Sequence, residues 1–184
     1  MDNIVIVSNG SPKLNDFNLA KFLTYDPETN EPCGFRSLHE EPWWRAPEEM
    51  DMSQQTMVDE KIDIYALGGI LFHILTTHGP RGKITEDREK EVRAIVRKGI
   101  RPDMLEPYVS GGTDGTLTKN PIVRAFMRAM DLCFESDPMK RGTSIQVARV
   151  LHKALVKETA ARKSKVQEEA TQETKMSKEY IPPV

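Results

Sequence analysis

The segment from Asp59 to Thr76 constrains this chain more than any other, because its apolar residues do not keep to one face. Ile62, Ile64, Leu67, Ile70, Leu71, Ile74 and Leu75 cover most of a helical circumference. A helix that is apolar nearly all round belongs in the middle of a helical domain. The twelve residues from Ile64 to Leu75, apolar except for His73, are too short a stretch to span a bilayer. Gly68 and Gly69 each lower helix propensity by about 1 kcal/mol, a cost that close packing by a neighbour would offset. Gly79-Pro80 ends the segment.

Other helices can be read around this rod. Glu86 to Lys98 is expected to lie on the surface with Val92, Ile95 and Val96 inward, stopped by Gly99. Pro121 is placed to start a helix carrying Ile122, Phe126, Ala129, Met130 and Cys133 on one face. Thr143 and Gln146 form a capping box for a last core helix with Ile145, Ala148, Leu151 and Leu155 as its inner stripe. At the other end, the β-branched run Ile4 to Val7, then Asn9-Gly10, then Pro12 to Leu14 predicts a short hairpin with a type I′ turn. Such a short ladder needs something larger to lie against. Thr24 to Met50 holds four prolines and little periodicity, which predicts a long exposed segment. The expected fold is mainly α with a short β-hairpin. Residues 1–156 form the domain, and residues 157–184 form a polar tail, either helical or disordered.

Composition excludes some functions. The 26 basic and 28 acidic side chains nearly cancel, which argues against non-specific nucleic-acid binding. With no membrane-spanning stretch and no secretory leader, the expected location is cytosolic or nuclear. The two cysteines, Cys33 and Cys133, have no metal spacing and read as free thiols in a reducing compartment. His39, His73, His78 and His152 share no metal spacing either.

Four short strings carry a resemblance. Lys13-Leu14-Asn15-Asp16-Phe17-Asn18-Leu19-Ala20 resembles the protein kinase magnesium motif, and Trp44-Arg45-Ala46-Pro47-Glu48 the end of a kinase activation segment. Asp63-Ile64-Tyr65-Ala66-Leu67-Gly68 is similar to the start of the buried kinase helix, and Asp137-Pro138-Met139-Lys140-Arg141 to the late Asp-Pro-x-x-Arg. Any one string is weak evidence, but four in kinase order are strong. The resemblance implies the C-terminal lobe of a protein kinase, with a weak leaning to the tyrosine-kinase-like branch. It also implies a start inside the catalytic loop at Asn3-Ile4, with the N-lobe absent from this sequence.

Several roles follow from the resemblance. Asp16, and Asn3 with it, would hold Mg2+ against the phosphates of ATP. The alternative for Asp16 is a turn-capping aspartate. Glu48 and Arg141 would form a buried structural ion pair, and Asp63 would accept backbone hydrogen bonds beneath the catalytic loop or simply cap its helix. Trp43 and Trp44 would floor a substrate-peptide groove or anchor the loop by packing. Asn18 stands where the family has glycine, and Gly142 where it usually has proline, a change expected to affect mainly local stiffness.

The glycine-rich loop, the strand lysine, the helix glutamate and the catalytic aspartate of the family all fall upstream of Asn3, so the sequence itself offers no catalytic residue. The expectation is a partial kinase domain, inactive on its own and binding ATP weakly or not at all. The competing expectation is a pseudokinase-like interaction module. Its activation segment would bind a protein or peptide partner, another kinase included.

Overall fold

The computed structural model describes residues 3–37, 41–50, 57–113 and 115–179, with side chains to 171. His39 and the terminal Pro182-Pro183 lie outside the described residues.

The rod predicted from the apolar pattern is helix α1, Lys61–Thr76. Asp59 Oδ1 accepts the Lys61 backbone N–H at 2.9 Å and so closes the first turn. The helix stops earlier than Gly79: Thr77 takes a left-handed conformation, φ 63°, and its N–H donates to the His73 carbonyl at 2.7 Å. The paired glycines are explained by packing. A Cβ at Gly68 would stand 2.7 Å from the Cys133 Cβ, and one at Gly69 would stand 2.8 Å from the Trp44 ring. The missing side chains let α1 approach both neighbours, which offsets their cost in propensity.

Helix α2, Glu89–Arg97, follows a 3-10 turn at Glu86–Arg88, buries Val92 and Val96, and ends at Gly99 with φ 70°. A short helix α3, Glu106–Ser110, lies between α2 and the next long helix. Helix α4, Pro121–Cys133, begins at its proline, and Asn120 Oδ1 accepts from the Ile122 N–H at 2.9 Å. Helix α5, Ser144–Glu179, opens with the expected capping box. Thr143 N–H donates to Gln146 Oε1 at 2.8 Å, and Gln146 N–H donates to Thr143 Oγ1 at 3.3 Å. The polar tail therefore continues this helix as far as Glu179.

Helices α1, α4 and the start of α5 enclose the main core, in which Phe72, Ala129, Met130, Cys133 and Val147 are buried. The inner stripe of α5 departs from expectation. Val147 is buried and Val150 and Leu151 pack on the core, whereas Ile145, Ala148 and Leu155 are exposed. The helix carries apolar residues on two faces, and periodicity cannot say which of them meets α4. A second, smaller core joins Trp43 and Met50 to Val92 and Val96 of α2.

The hairpin pairs β1, Ile4–Ile6, with β2, Pro12–Leu14, antiparallel, Ile4 opposite Leu14. Its turn is not type I′, because Gly10 alone has positive φ, at 80°. Gly10 N–H donates to the Val7 carbonyl at 2.8 Å and Val7 N–H to the Ser11 carbonyl at 3.0 Å. That is a three-residue loop with a left-handed glycine bulge, the other common way to join two short strands. Among the described residues nothing large covers the hairpin: Ile6 and Leu14 are both about two-thirds exposed. The segment from Thr24 to Met50, predicted to be long and exposed, carries local order in its first part. Asp26 Oδ1 accepts from the Glu28 and Thr29 N–H groups, and Tyr25 bridges Pro32.

Candidate functional site

Between the hairpin and α1 lies a cleft of about 720 Å³, lined in part by Asn3, Asn15, Asp16, Arg45, Glu49 and Asp63. The hairpin register brings its two ends together: Asn15 N–H donates to the Asn3 carbonyl at 2.9 Å, continuing the ladder by one rung. Asp16, the next residue, leaves the strand in a left-handed conformation, φ 61°. Non-glycine residues rarely adopt it, and such outliers cluster at functional sites. Among the described residues the Asp16 carboxylate accepts only a long contact, 3.4 Å, from the Asn18 N–H. Its oxygens are otherwise open to the cleft. Asn18 itself has an ordinary φ, so the absence of glycine there costs this backbone nothing.

The donor set at this corner consists of one carboxylate and one amide, both hard oxygen ligands. That chemistry fits Mg2+, which retains waters and takes further ligands from phosphates, better than a metal held wholly by protein. Among the described residues no group of three His, Cys, Asp or Glu side chains could hold a metal ion.

Asp63 sits in the first turn of α1 on the cleft wall. Desolvation by that wall raises its carboxyl above the usual aspartate range, Arg45 opposes the rise, and Glu60 adds to it. Among the described residues no hydrogen bond reaches its carboxylate, and Asp59 caps the helix instead. Glu49 was missed by the sequence reading. Its side chain is buried at the back of the cleft, where its Oε2 accepts the Ala46 N–H at 2.8 Å and its Oε1 faces Ser37 Oγ and Arg45. Burial pushes this carboxyl up, against the pull of those donors. A buried glutamate beside another glutamate gives no periodic signal in sequence.

Arg141 holds the platform beneath. Its side chain is fully buried, and Nη1 and Nη2 donate to Glu48 Oε1 and Oε2 at 2.6 and 2.9 Å. Nη1 also donates to the Lys61 carbonyl and Nε to the Glu135 carbonyl, both at 2.8 Å, while the guanidinium lies over the Tyr65 ring. One planar cation thus joins the end of the activation-segment-like stretch, the start of α1 and the α4–α5 connection. Gly142 has a packing role as well as a place in the chain: its N–H donates to the Leu132 carbonyl at 2.9 Å, and a Cβ there would stand 2.9 Å from the Leu132 Cβ. A proline would lose the bond, so the residue does more than set local stiffness.

Trp43 is 5% exposed, packed in the second core with Arg88 over its ring. It offers no free ring face to a peptide, so a groove would be left to Trp44, which is half-buried against Gly69 and edge-on to His73. Neither tryptophan lines the cleft. Of the two thiols, Cys33 is exposed and Cys133 is buried with its pKa pushed up to about 12 by desolvation.

The sequence that builds this lobe has relatives among known proteins. The protein kinase domain family matches residues 1–156, and the chain belongs to it. A serine/threonine-protein kinase of Lactococcus lactis, described as probable, is 36% identical over 122 residues, covering 64% of this chain and 17% of that protein. A protein of Arabidopsis thaliana described as a probable inactive receptor kinase is 23% identical over 152 residues, 80% of this chain and 22% of that protein. A serine/threonine-protein kinase of Saccharomyces cerevisiae is 28% identical over 138 residues, 73% of this chain and 19% of that protein. The chain therefore spans only about a fifth of the length of these relatives.

Among the described residues the only strands are those of the hairpin, and no helix is long and apolar enough to cross a membrane.

Proposed function

We propose that the cleft is the C-lobe side of a magnesium–nucleotide site in a protein kinase domain, with Asp16 and Asn3 as metal ligands, and that these 184 residues by themselves transfer no phosphoryl group. The observation that carries this reading is the left-handed Asp16, its carboxylate open, one ladder rung from Asn3. When bound, the metal would supply positive charge to offset that of the nucleotide phosphates.

The chain's own residues have simpler tasks. Asp16 presents its oxygens at the mouth of the cleft. Asn3 adds an amide oxygen from the paired strand. Asp63, whose carboxylate takes no hydrogen bond among the described residues, would accept backbone N–H groups from the rest of the catalytic loop. Arg141 and Glu48 keep the floor from moving. Phosphoryl transfer depends on positioning and charge stabilisation by several groups at once. The described cleft contributes two of them and no base for the substrate hydroxyl, so substrates and the choice between Ser/Thr and Tyr belong to groups outside it.

Manganese(II) titration of isotope-labelled protein tests the ligand assignment. Amide signals of Asn3 and Asp16 should broaden first, and Asp16→Asn should abolish the effect. Broadening that persists in Asp16→Asn removes Asp16 from the site. Magnesium-dependent binding of a fluorescent ATP analogue to the purified chain should be very weak or undetectable, and a dissociation constant in the low micromolar range would overturn that expectation.

A second reading, a non-catalytic module that binds a protein or peptide partner, gains support from the similarity to the inactive receptor kinase. It predicts partner capture that is insensitive to magnesium and to Asp16→Asn.

A further inference from the structure

Of the six asparagines in the chain, only Asn9 is followed by glycine. The pair sits at the tip of the hairpin, where Ser8, Asn9 and Gly10 are all exposed. An asparagine side chain holds an electrophilic carbon, Cγ, within reach of the next backbone nitrogen, which can close a cyclic imide on it. In most residues the Cβ beside that nitrogen hinders the attack, and glycine has none. Around Gly10 the space is open as well: a Cβ there would meet nothing within 4 Å.

The turn also prepares the electrophile. Ser11 N–H donates to Asn9 Oδ1 at 2.9 Å. Negative charge develops on that oxygen when Cγ is attacked, and an N–H held at this distance stabilises it as an oxyanion hole does. The contact spans two residues and does not depend on the ladder. One bond opposes the reaction. Gly10 N–H, whose proton must leave, donates to the Val7 carbonyl at 2.8 Å. That bond closes a weak ladder: each strand has three residues, Pro12 supplies no N–H, and Ile6 and Leu14 are about two-thirds exposed. A ladder this short is marginal by itself, so local opening releases the Gly10 amide at little cost.

We propose that Asn9 is a self-modifying residue, which passes through a cyclic imide to an isoaspartyl link and so resets the hairpin turn. The Gly10 nitrogen gives its proton to a solvent base and bonds to Asn9 Cγ. The Cγ–Nδ2 bond breaks, and Nδ2 leaves as ammonia with a proton taken from water. Water then opens the imide. Attack at Cγ restores the main chain with an aspartate side chain. Attack at the Asn9 main-chain carbonyl leaves the chain running through Cβ and Cγ. Water enters, ammonia leaves, and nothing is oxidised or reduced. The isoaspartyl link puts an extra carbon into the backbone of a short loop. This shifts Ser11 against Val7 and loosens the register that brings the Asn3 carbonyl to the Asn15 N–H. A residue at the hairpin tip thereby acts on the mouth of the cleft, whether or not a metal binds there.

Ageing the purified full chain at mildly alkaline pH tests this. Peptide mass spectrometry locates the exchange of amide for acid, and labelling by a methyltransferase specific for isoaspartyl groups identifies the product. Asn9 should convert ahead of the other asparagines, and in the folded chain no more than about tenfold more slowly than in urea. Slower conversion than that, or conversion to aspartate alone, overturns the proposal. Ser11→Pro removes the donor to Oδ1 and should lower the ratio of the folded rate to the urea rate. An unchanged ratio means that the turn does not activate the carbonyl and sinks the assignment. Hydrogen exchange at the Asn15 amide should speed up in the isoaspartyl product and match the parent in freshly prepared Asn9→Asp. Equal exchange in all three refutes the effect on the cleft.

Discussion

The base of the molecule and the hairpin above it are joined by a cleft, yet they follow opposite rules. In the base, polar groups are buried and paired: Arg141 is fully enclosed and donates to two Glu48 oxygens and to several carbonyls. At the hairpin and the segment after it, apolar groups are bare. Phe17, Leu19 and Phe22 are exposed alongside Ile6 and Leu14. The base is thus closed around its polar groups, whereas the hairpin rim leaves apolar side chains in solvent. The contrast shows where the fold is held: the ion pair and the glycine contacts tie the platform together, and of the cleft-lining residues Glu49 is buried into it.

The comparison breaks most sharply at Arg141. Arg141→Ala strands Glu48 and several carbonyls in the interior, and removing one partner of a buried pair costs about 3–5 kcal/mol. Urea unfolding should show a loss of that size, and replacing both Arg141 and Glu48 by apolar residues of similar volume should recover part of it. Next in size, Gly68→Ala forces a methyl to within 2.7 Å of the Cys133 Cβ. Overpacking of this kind costs typically 1–3 kcal/mol, and combining it with Cys133→Gly should relieve the strain.

Glu49 sharpens the boundary between the two regions. Its carboxyl is raised above the ordinary value of 4.5, so the folded state holds that proton more tightly than the unfolded state. Its contribution to stability therefore falls as pH rises from the ordinary value through the raised one. Subtracting the unfolding free energies of Glu49→Gln from those of the parent, point by point in pH, should expose this downward slope. An upward slope would mean that the Arg45 and Ala46 contacts outweigh burial. The smallest effect is expected on the rim. Phe22→Ser changes a fully exposed ring, and such surface changes usually stay within about 0.5 kcal/mol. A thermal melt showing a larger loss would mean that the rim is covered in solution.

Thiol titration gives an independent check on the core. Cys33 should react in the native protein and Cys133 only after unfolding, since its thiol is buried and its pKa stands near 12. Two reactive thiols in the native state would contradict a closed core.

The sequence alone determined the elements whose signals are local. The all-round apolar run fixed α1 within two residues, Pro121 fixed the start of α4, and the Thr143–Gln146 box fixed the start of α5, because caps and periodicity act over three or four residues. The four family strings likewise placed the candidate site along the chain. What tertiary structure decided was every choice between locally equivalent alternatives. Both faces of α5 are apolar enough to be the inner one, and only packing against α4 selected Val147 over Ile145 and Leu155. Asn9-Gly10 permits two turns, and only the strand register selected the glycine bulge. Gly142 looks like a change in stiffness until Leu132 is seen against it, and Glu49 is one of several glutamates until the fold buries it. Such choices depend on contacts between residues far apart in sequence, and no local pattern records which of them the folded chain will make.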